Sequence, residues 1–191
     1  MNVVGIIPAR FKSTRFPGKP LADILGKSMI HRVYAQCKKC SLLNDIIVAT
    51  DDKRIFNHVE EFGGKVMMSA DYHKTGTERC GEIAKSLTND YDIIVNIQGD
   101  EPYINPKEIT QVISLFNDKK TEIATLAKKI SKNKSIEDRN HVKILFNKDD
   151  IATNFFRSIP ANYSTAPFYK HIGIYAYTKN TLLKILAYIK L

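Results

Sequence analysis

The chain has 191 residues, of which 43% are hydrophobic and 26% are charged, so it is long enough to bury a core and is typical of a globular protein. It contains no apolar run of about 18 residues, which excludes a membrane-spanning helix as an expectation. The formal net charge is +9, and most of the excess comes from lysines scattered through the second half. Such a surface favours polyanions in general, but a solvated lysine-rich surface is the simpler interpretation.

The amino terminus and the cysteines indicate the cellular compartment in which the protein is expected. The first residues enter an apolar run at once, without the basic segment and cleavage site of a signal peptide. Three cysteines, Cys37, Cys40 and Cys80, do not suggest a disulfide framework, so we expect a cytoplasmic protein. Cys37 and Cys40 have CxxC spacing, but they fall in a helical pattern without further ligand residues nearby, and we expect a structural role for them.

The first half of the sequence alternates between two hydrophobic periods. Short apolar runs predict buried strands at residues 3–8, 45–50, 65–68 and 92–97. Between them, helical spacing predicts helices that begin after a cap at Ser28, cover residues 55–62 and 78–87, and begin again at Pro106. Gly63 and Gly64 are a natural end for the second helix.

This alternation predicts an α/β fold, with a three-layer, Rossmann-like and mostly parallel sheet that has helices on both faces. Ligands on such sheets bind beyond the carboxyl ends of the strands. The loops after Ile7, Val48, Met68 and Ile97 are therefore the places where a functional site is expected.

The second half is less regular. Strands are predicted at residues 123–129, 142–146 and 172–177, and Thr178 is a possible cap for a final helix. No internal repeat or clear interdomain linker is visible, so the prediction is a single domain over residues 1–191.

The loop after the first strand carries a cluster of basic residues. Arg10, Lys12, Arg15 and Lys19 lie within it, and Gly18 between two prolines gives it a tight and stiff turn. Arginine and lysine side chains around loop amides bind phosphate oxygens through charge-assisted hydrogen bonds. Neither a Walker A motif nor the Rossmann glycine fingerprint is present, so the loop predicts a phosphate site of another kind.

Five ordered motifs carry a family resemblance. They are IIPARFKSTRFPGKPL at the first loop, IVATDD after the second strand, TGTER before the third helix, VNIQGDEP after the fourth strand and HIGIY near the end. In this wording and order the chain resembles CMP-Kdo synthetases, the CTP:3-deoxy-D-manno-octulosonate cytidylyltransferases, over nearly its whole length. The resemblance implies the fold of nucleotide-diphospho-sugar transferases. It also implies the transfer of a cytidylyl group from CTP to the sugar Kdo.

The resemblance also implies roles for individual residues. It places Arg10, Lys19 and Asp100 in catalysis, with Asp100 as a ligand of Mg²⁺. The residues implied in nucleotide binding are Ala9, Arg10, Ser13, Arg15, Lys19, Thr77 and Arg79. The residues implied on the sugar side are Gln98, Arg157, His171 and Tyr175. Thr77 is alternatively a helix cap, and His171 is not assigned as a general base.

Family members are longer and carry a second metal-binding aspartate in a carboxyl-terminal segment that also contributes to a homodimer. This sequence ends at Leu191 without that motif. The resemblance therefore implies a single nucleotidyltransferase domain that lacks the family's carboxyl-terminal portion, recognises CTP and turns over slowly or not at all. The implied pathway is lipopolysaccharide synthesis. Two alternatives stay open: a related acid sugar such as 8-amino-Kdo or a sialic-type acid, and a non-catalytic fragment that binds nucleotide or nucleic acid. The second has no nucleic-acid motif behind it.

Overall fold

The computed structural model describes residues 1–13, 16–130, 138–160 and 167–189. The ten strands are β1 Val3–Ala9, β2 Asp23–Ile24, β3 Lys27–Ser28, β4 Asp45–Thr50, β5 Val66–Met68, β6 Ile93–Asn96, β7 Ile123–Lys129, β8 Lys143–Phe146, β9 Ala152–Phe156 and β10 Tyr169–Thr178. The five α-helices are α1 Met29–Cys37, α2 Lys53–Glu61, α3 Gly76–Ser86, α4 Pro106–Ser114 and α5 Lys179–Ile189. Short 3₁₀ turns cover Lys19–Leu21 and Leu115–Asn117.

Contacts divide the chain into two compact units. The first unit comprises Met1–Ala124 with Ile174–Leu191, and the second comprises Thr125–Gly173. β7 and β10 contribute residues to both units. The single domain expected from the sequence stays a prediction.

The first unit is built on a parallel sheet in the order β5, β4, β1, β6, to which the end of β10 adds in antiparallel orientation. β1 lies between β4 and β6 and is buried over nearly its whole length, because it is an unbroken apolar run with neighbours on both sides. The predicted α/β fold with a mostly parallel sheet is confirmed.

Helices cover both faces of this sheet. Alternate residues of β1, such as Val4 and Ile6, pack in a cluster with Cys80 and Ile83 of α3 and Leu182 of α5. The intervening β1 residues are equally buried and face the opposite side, where α1 and α4 contact each other and the sheet. The layers are therefore helix, sheet and helix, as the alternation of periods predicts.

The helix boundaries follow their capping residues. Ser28 caps α1 by accepting a hydrogen bond from the His31 amide, and Asn105 forms a capping box with Glu108 around Pro106 at the start of α4. Gly63, in the left-handed region at φ 75°, follows the end of α2. Thr178 accepts from the Thr181 amide at the start of α5, so each of these predicted signals is confirmed.

The cysteines are structural in this unit. Cys37, Cys40 and Cys80 are free and buried, and burial raises the pKa of the Cys37 thiol to about 12. A thiol held protonated in an apolar layer is neither a nucleophile nor a ready metal ligand.

The second unit contains antiparallel strands. β8 pairs with β9 in a hairpin and with the start of β10 at Tyr169 and Lys170, and β7 also pairs with β10. The sequence predicted β7, β8 and β10 but not β9, whose residues Ala-Thr-Asn-Phe-Phe alternate between half-buried and exposed without an alternation of apolar and polar types. Among the described residues, no helix combines the length and apolar character required to cross a bilayer.

The hairpin between β2 and β3 carries backbone strain that can be tested. Leu25 and Gly26 form its turn with φ values of 52° and 79°, and the Leu25 side chain is 88% exposed. A two-residue turn with both φ values positive prefers Asn-Gly. We expect Leu25→Asn to raise the free energy of unfolding by about 1 kcal/mol, because it relieves a left-handed leucine at no loss of burial.

Urea denaturation of Leu25→Asn against wild type measures this effect. Leu42→Asn is the matched control, because Leu42 is also exposed but its φ is not positive, and it should not be stabilised. A Leu25 variant less stable than wild type would show that the leucine side chain itself contributes to stability.

Candidate functional site

A pocket of about 520 Å³ opens at the carboxyl ends of β1 and β6 in the first unit. One side is the loop after β1, the base is the segment after β6, and the third side is the segment that leads into α3. The sequence-predicted residues that line it are Ala9, Arg10, Ser13, Lys19, Arg79, Gln98 and Asp100. Its volume suits a nucleotide-sized ligand.

The loop after β1 is held in place by an aromatic contact that the sequence did not indicate. The guanidinium of Arg54 lies 3.3 Å over the ring of Phe11, and Asp52 holds the same guanidinium from the other side at 2.7 and 2.9 Å. The Phe11 carbonyl accepts a hydrogen bond from the Gly18 amide, and a β-carbon at Gly18 would lie 3.0 Å from the ring. These contacts fix both ends of the loop that presents Arg10 and Lys19.

The base of the pocket depends on a glycine. A β-carbon at Gly99 would lie 2.7 Å from the backbone oxygen of Pro8, closer than such atoms approach. Because the obstacle is backbone, it cannot move aside. Gly99 therefore lets the end of β6 and the end of β1 meet, with Gln98 and Asp100 on either side of it.

Lys19 and Asp100 face each other in this pocket. Lys19 Nζ donates to Asp100 Oδ2 at 2.6 Å, and the two side chains are 36% and 51% exposed. A pair this open to water has a small net energy. Its members are therefore free to exchange partners when a charged ligand enters.

Arg79 is held differently. It is 3% exposed, its Nη2 lies 3.2 Å from Asp51 Oδ2, and its Nη1 donates to Ser69 Oγ and to the Ala70 carbonyl. The guanidinium is thus committed to the protein on several sides, and it lines the pocket as a fixed positive charge rather than as a mobile arm.

Sequence reasoning missed a histidine in the wall before α3. His73 lines the pocket, and its ring lies between two carboxylates, with Nε2 on Glu82 and Nδ1 3.8 Å from Glu78. Glu82 also accepts from the Ala70 amide at 2.9 Å, and Glu78 accepts from the Lys74 amide at 2.9 Å. This wall follows Met68, where the strand pattern predicted a functional loop.

The two glutamates are held ionised by these contacts. The Lys74 amide hydrogen bond keeps the pKa of Glu78 below its usual value. Burial alone would raise the pKa of Glu82, but the hydrogen bonds from His73 and the Ala70 amide outweigh it and leave that pKa lowered.

Thr77 and Tyr175 do not line this pocket in the described structure. Thr77 hydrogen-bonds to Tyr177, whose pKa is raised by burial to about 12. The suggestion that Thr77 caps α3 is wrong, because Thr75 accepts from the Glu78 amide at 3.1 Å and is the cap. Tyr175 pairs in register with Asn96 of β6 and stacks near Tyr177.

The remaining predicted residues lie elsewhere. His171 and Arg157 belong to the second unit, where His171 Nε2 is 3.0 Å from Thr125 Oγ1 and burial lowers the pKa of the imidazole. Arg157 follows β9 and is exposed. Arg15 lies outside the described residues.

The described residues of the pocket suit only a metal ion that is bound by a single protein carboxylate. Within the described ranges, no group of three histidine, cysteine, aspartate or glutamate side chains is arranged to hold a metal. Asp100 presents a single half-exposed carboxylate to the pocket. Mg²⁺ often takes one protein carboxylate together with substrate phosphates, so the donor set suits a cation that arrives with a nucleotide.

Comparisons with known proteins show the family of this chain. The sequence model of the cytidylyltransferase family matches residues 4–190. A 3-deoxy-manno-octulosonate cytidylyltransferase of Parabacteroides distasonis is 47% identical, over 97% of this chain and 78% of that protein. An 8-amino-3,8-dideoxy-manno-octulosonate cytidylyltransferase of Shewanella frigidimarina is 48% identical, over 94% of this chain and 76% of that protein.

Two solved structures are similar to this chain. A CMP:2-keto-3-deoxy-manno-octonic acid synthetase in complex with CTP superposes with a TM-score of 0.89 at 38% identity, over 97% of this chain and 77% of that one. A 4-diphosphocytidyl-2C-methyl-D-erythritol synthase of Anaerococcus prevotii, at 14% identity and a TM-score of 0.64, shares the fold.

The lowered pKa of Glu82, in the pocket wall before α3, predicts how the stability of the fold changes at acid pH. A carboxyl group with a lowered pKa in the folded state stabilises the fold above its usual pKa, and this contribution is lost as the pH falls through the folded value. Glu82→Gln should therefore lower the free energy of unfolding near neutral pH by about 1 kcal/mol, a value discounted for partial exposure. The deficit should close as the pH falls below the ordinary carboxyl value of 4.5.

Denaturant titrations over a pH series test this prediction. Glu60→Gln on α2 is the control, since that carboxylate is exposed and its variant should show no pH-dependent deficit. A Glu82→Gln deficit that stays constant down to acid pH would contradict the ionic role of Glu82.

Proposed function

Because the chain belongs to the cytidylyltransferase family, we propose that it transfers a cytidylyl group from CTP to the anomeric hydroxyl of Kdo and releases pyrophosphate. The observation that carries the proposal is the pocket that brings Arg10, Lys19 and Asp100 together at the carboxyl ends of β1 and β6. Two cations and a carboxylate around a nucleotide-sized space are the groups that phosphoryl chemistry requires.

The triphosphate would lie between the loop after β1 and the start of α3. Arg10 and Lys19 supply positive charge from one side. Thr75 and Gly76 bring the amino-terminal end of an eleven-residue helix from the other, where unpaired amides and the helix dipole favour an anion. Arg15, which the resemblance places at the same phosphates, would add a further cation.

In the reaction, the sugar hydroxyl attacks the α-phosphorus of CTP. A bond from the sugar oxygen to this phosphorus forms as the hydroxyl proton passes to solvent, while the bond from the phosphorus to the bridging oxygen breaks and pyrophosphate leaves. Little covalent chemistry falls to the protein, so its contribution is alignment and charge neutralisation. Arg10 and Lys19 would offset the charge that builds on the leaving group.

Lys19 and Asp100 would change partners when the nucleotide binds. In the structure they neutralise each other through an exposed contact of 2.6 Å. Phosphate oxygens compete for Lys19, which would leave the Asp100 carboxylate available to hold Mg²⁺. When bound, the ion would supply charge neutralisation at the phosphates.

Arg157, His171, Gln98 and Tyr175 are proposed for the acid sugar on the basis of the family resemblance. A sugar that carries a carboxylate and several hydroxyls suits an arginine and neutral hydrogen-bonding groups. The lowered pKa of His171 supports a neutral imidazole in that role.

The product would serve lipopolysaccharide assembly in the cytoplasm, and a homodimer is proposed for the full-length form.

A second substrate has specific support. Relatives named for Kdo and relatives named for its 8-amino analogue match this chain at 47% and 48% identity. We therefore propose the 8-amino sugar as the alternative acceptor. The two differ in one substituent, and parallel assays with both sugars distinguish them.

The assay follows pyrophosphate release from CTP and Mg²⁺ with Kdo, with 8-amino-Kdo and without sugar. We expect release that requires one of the sugars and falls about a hundredfold in Asp100→Ala, because a carboxylate at the transferring phosphate is lost. Asp90→Ala is the matched control, since Asp90 is an exposed aspartate that precedes β6, whereas Asp100 follows it.

Equal losses in both variants would contradict the role of Asp100. Calorimetric binding of CTP without release with either sugar would contradict the transfer while leaving the nucleotide assignment in place. Absence of CTP binding would contradict the proposal as a whole. A gel-shift titration across ionic strength tests the nucleic-acid alternative, for which charge alone predicts binding that fades with salt.

A further inference from the structure

Lys143 of β8 is a fully buried lysine in the second unit. Its side chain is among the largest with no exposure, and it lies opposite Phe156 of β9 and Lys170 of β10 in the strand pairing. Lysine is almost never fully buried unless its charge is compensated. The contacts of this ammonium group therefore call for an explanation.

The ammonium group of Lys143 donates hydrogen bonds to backbone carbonyls. Nζ donates to the Asp138 carbonyl and, at 3.1 Å, to the Arg157 carbonyl. The Asp138 carboxylate makes its hydrogen bonds elsewhere, since Oδ1 accepts from the Asn140 amide at 2.8 Å and Oδ2 lies 3.4 Å from His141 Nδ1, although the nearby Lys143 charge still helps to lower its pKa. Lys143 thus ties two separate stretches of backbone, before β8 and after β9, to one point.

Stability alone is a poor reason for this arrangement. Moving an ammonium group out of water costs several kcal/mol, and carbonyl dipoles repay it less well than a carboxylate would. An unbranched apolar side chain of similar volume avoids that cost, although it leaves the two carbonyls without this donor. A buried charge kept under these conditions indicates that the backbone positions it fixes matter for something else.

One of those positions is Arg157. The residue follows β9 directly, and its side chain is exposed. A charge-assisted bond to its carbonyl fixes the peptide plane from which the side chain starts. Arginine recognises a carboxylate through a fork of two parallel hydrogen bonds, and this geometry is lost when its base moves.

We propose that Lys143 is a positioning residue for acid-sugar recognition, which acts by holding the Arg157 backbone so that the Arg157 guanidinium meets the sugar carboxylate. Lys143 itself does not touch the substrate. The proposal rests on the proposed function, because it takes Arg157 as a ligand of the acid sugar.

The test measures binding rather than turnover. Kdo and 8-amino-Kdo are titrated calorimetrically into the chain saturated with the α,β-methylene analogue of CTP and Mg²⁺. Lys143→Met should bind the sugar about tenfold more weakly, the worth of one lost charge-assisted hydrogen bond. Its affinity for the nucleotide analogue should be unchanged.

Lys148→Met is the matched control, an exposed lysine in the turn between β8 and β9, and it should bind both ligands as wild type does. A merely structural lysine would weaken both ligands together. If Lys143→Met does not unfold cooperatively, Lys143→Gln replaces it. The amide keeps a donor for the carbonyls, and a smaller loss of sugar affinity is expected.

A double-mutant cycle separates the possible failures. If Lys143 acts through Arg157, the double variant Lys143→Met with Arg157→Ala binds sugar no more weakly than Arg157→Ala alone. Additive losses, or normal sugar binding by Lys143→Met while Arg157→Ala is weakened, would overturn the positioning role alone. Normal sugar binding by Arg157→Ala, or no sugar binding by wild type, would overturn the sugar assignment in the proposed function and the positioning role with it.

Discussion

The parallel pairing of β1 with β4 on one side and β6 on the other is the constraint on which the pocket depends. Parallel strands bring all their carboxyl ends to one edge, so loops far apart in sequence meet there. The close approach of Gly99 to the Pro8 carbonyl sets how near the two central loops come. The basic loop, the aspartate segment and the amino terminus of α3 are neighbours for this reason.

The charges of the pocket fall into two classes. Arg79 is buried and bound to a carboxylate of the protein, so its charge is fixed in position, and the His73 ring is held between two carboxylates. Lys19 and Asp100 are exposed and paired only with each other in the hydrogen bonds described. Rigid charges define the shape of a binding site at no reorganisation cost, whereas the exchangeable pair provides groups that a phosphate and a cation can recruit.

In the second unit, too, a positively charged side chain holds the backbone in place. In it β8 pairs antiparallel with β9 and β10, and a buried ammonium group on β8 ties together the backbone before β8 and after β9. A carbonyl bonded to a charge is fixed more firmly than one bonded to a neutral amide. In both units, therefore, a cation orders backbone or loop segments.

The sequence by itself determined the α/β architecture, most helix boundaries and the position of the basic loop after β1, because these depend on local periodicity, on signals such as the Ser28 cap and Pro106, and on a contiguous motif. Only the tertiary structure decided which charged groups pair. The capture of Arg79 by Asp51, the contact of Arg54 with Phe11, the clamp on His73 and the burial of Lys143 join residues from different elements. The burial of a charged side chain and its distance from other charges decide whether it is held rigidly, is free to bind a ligand or fixes the backbone. Neither burial nor distance can be read from the residue type or from its neighbours in sequence.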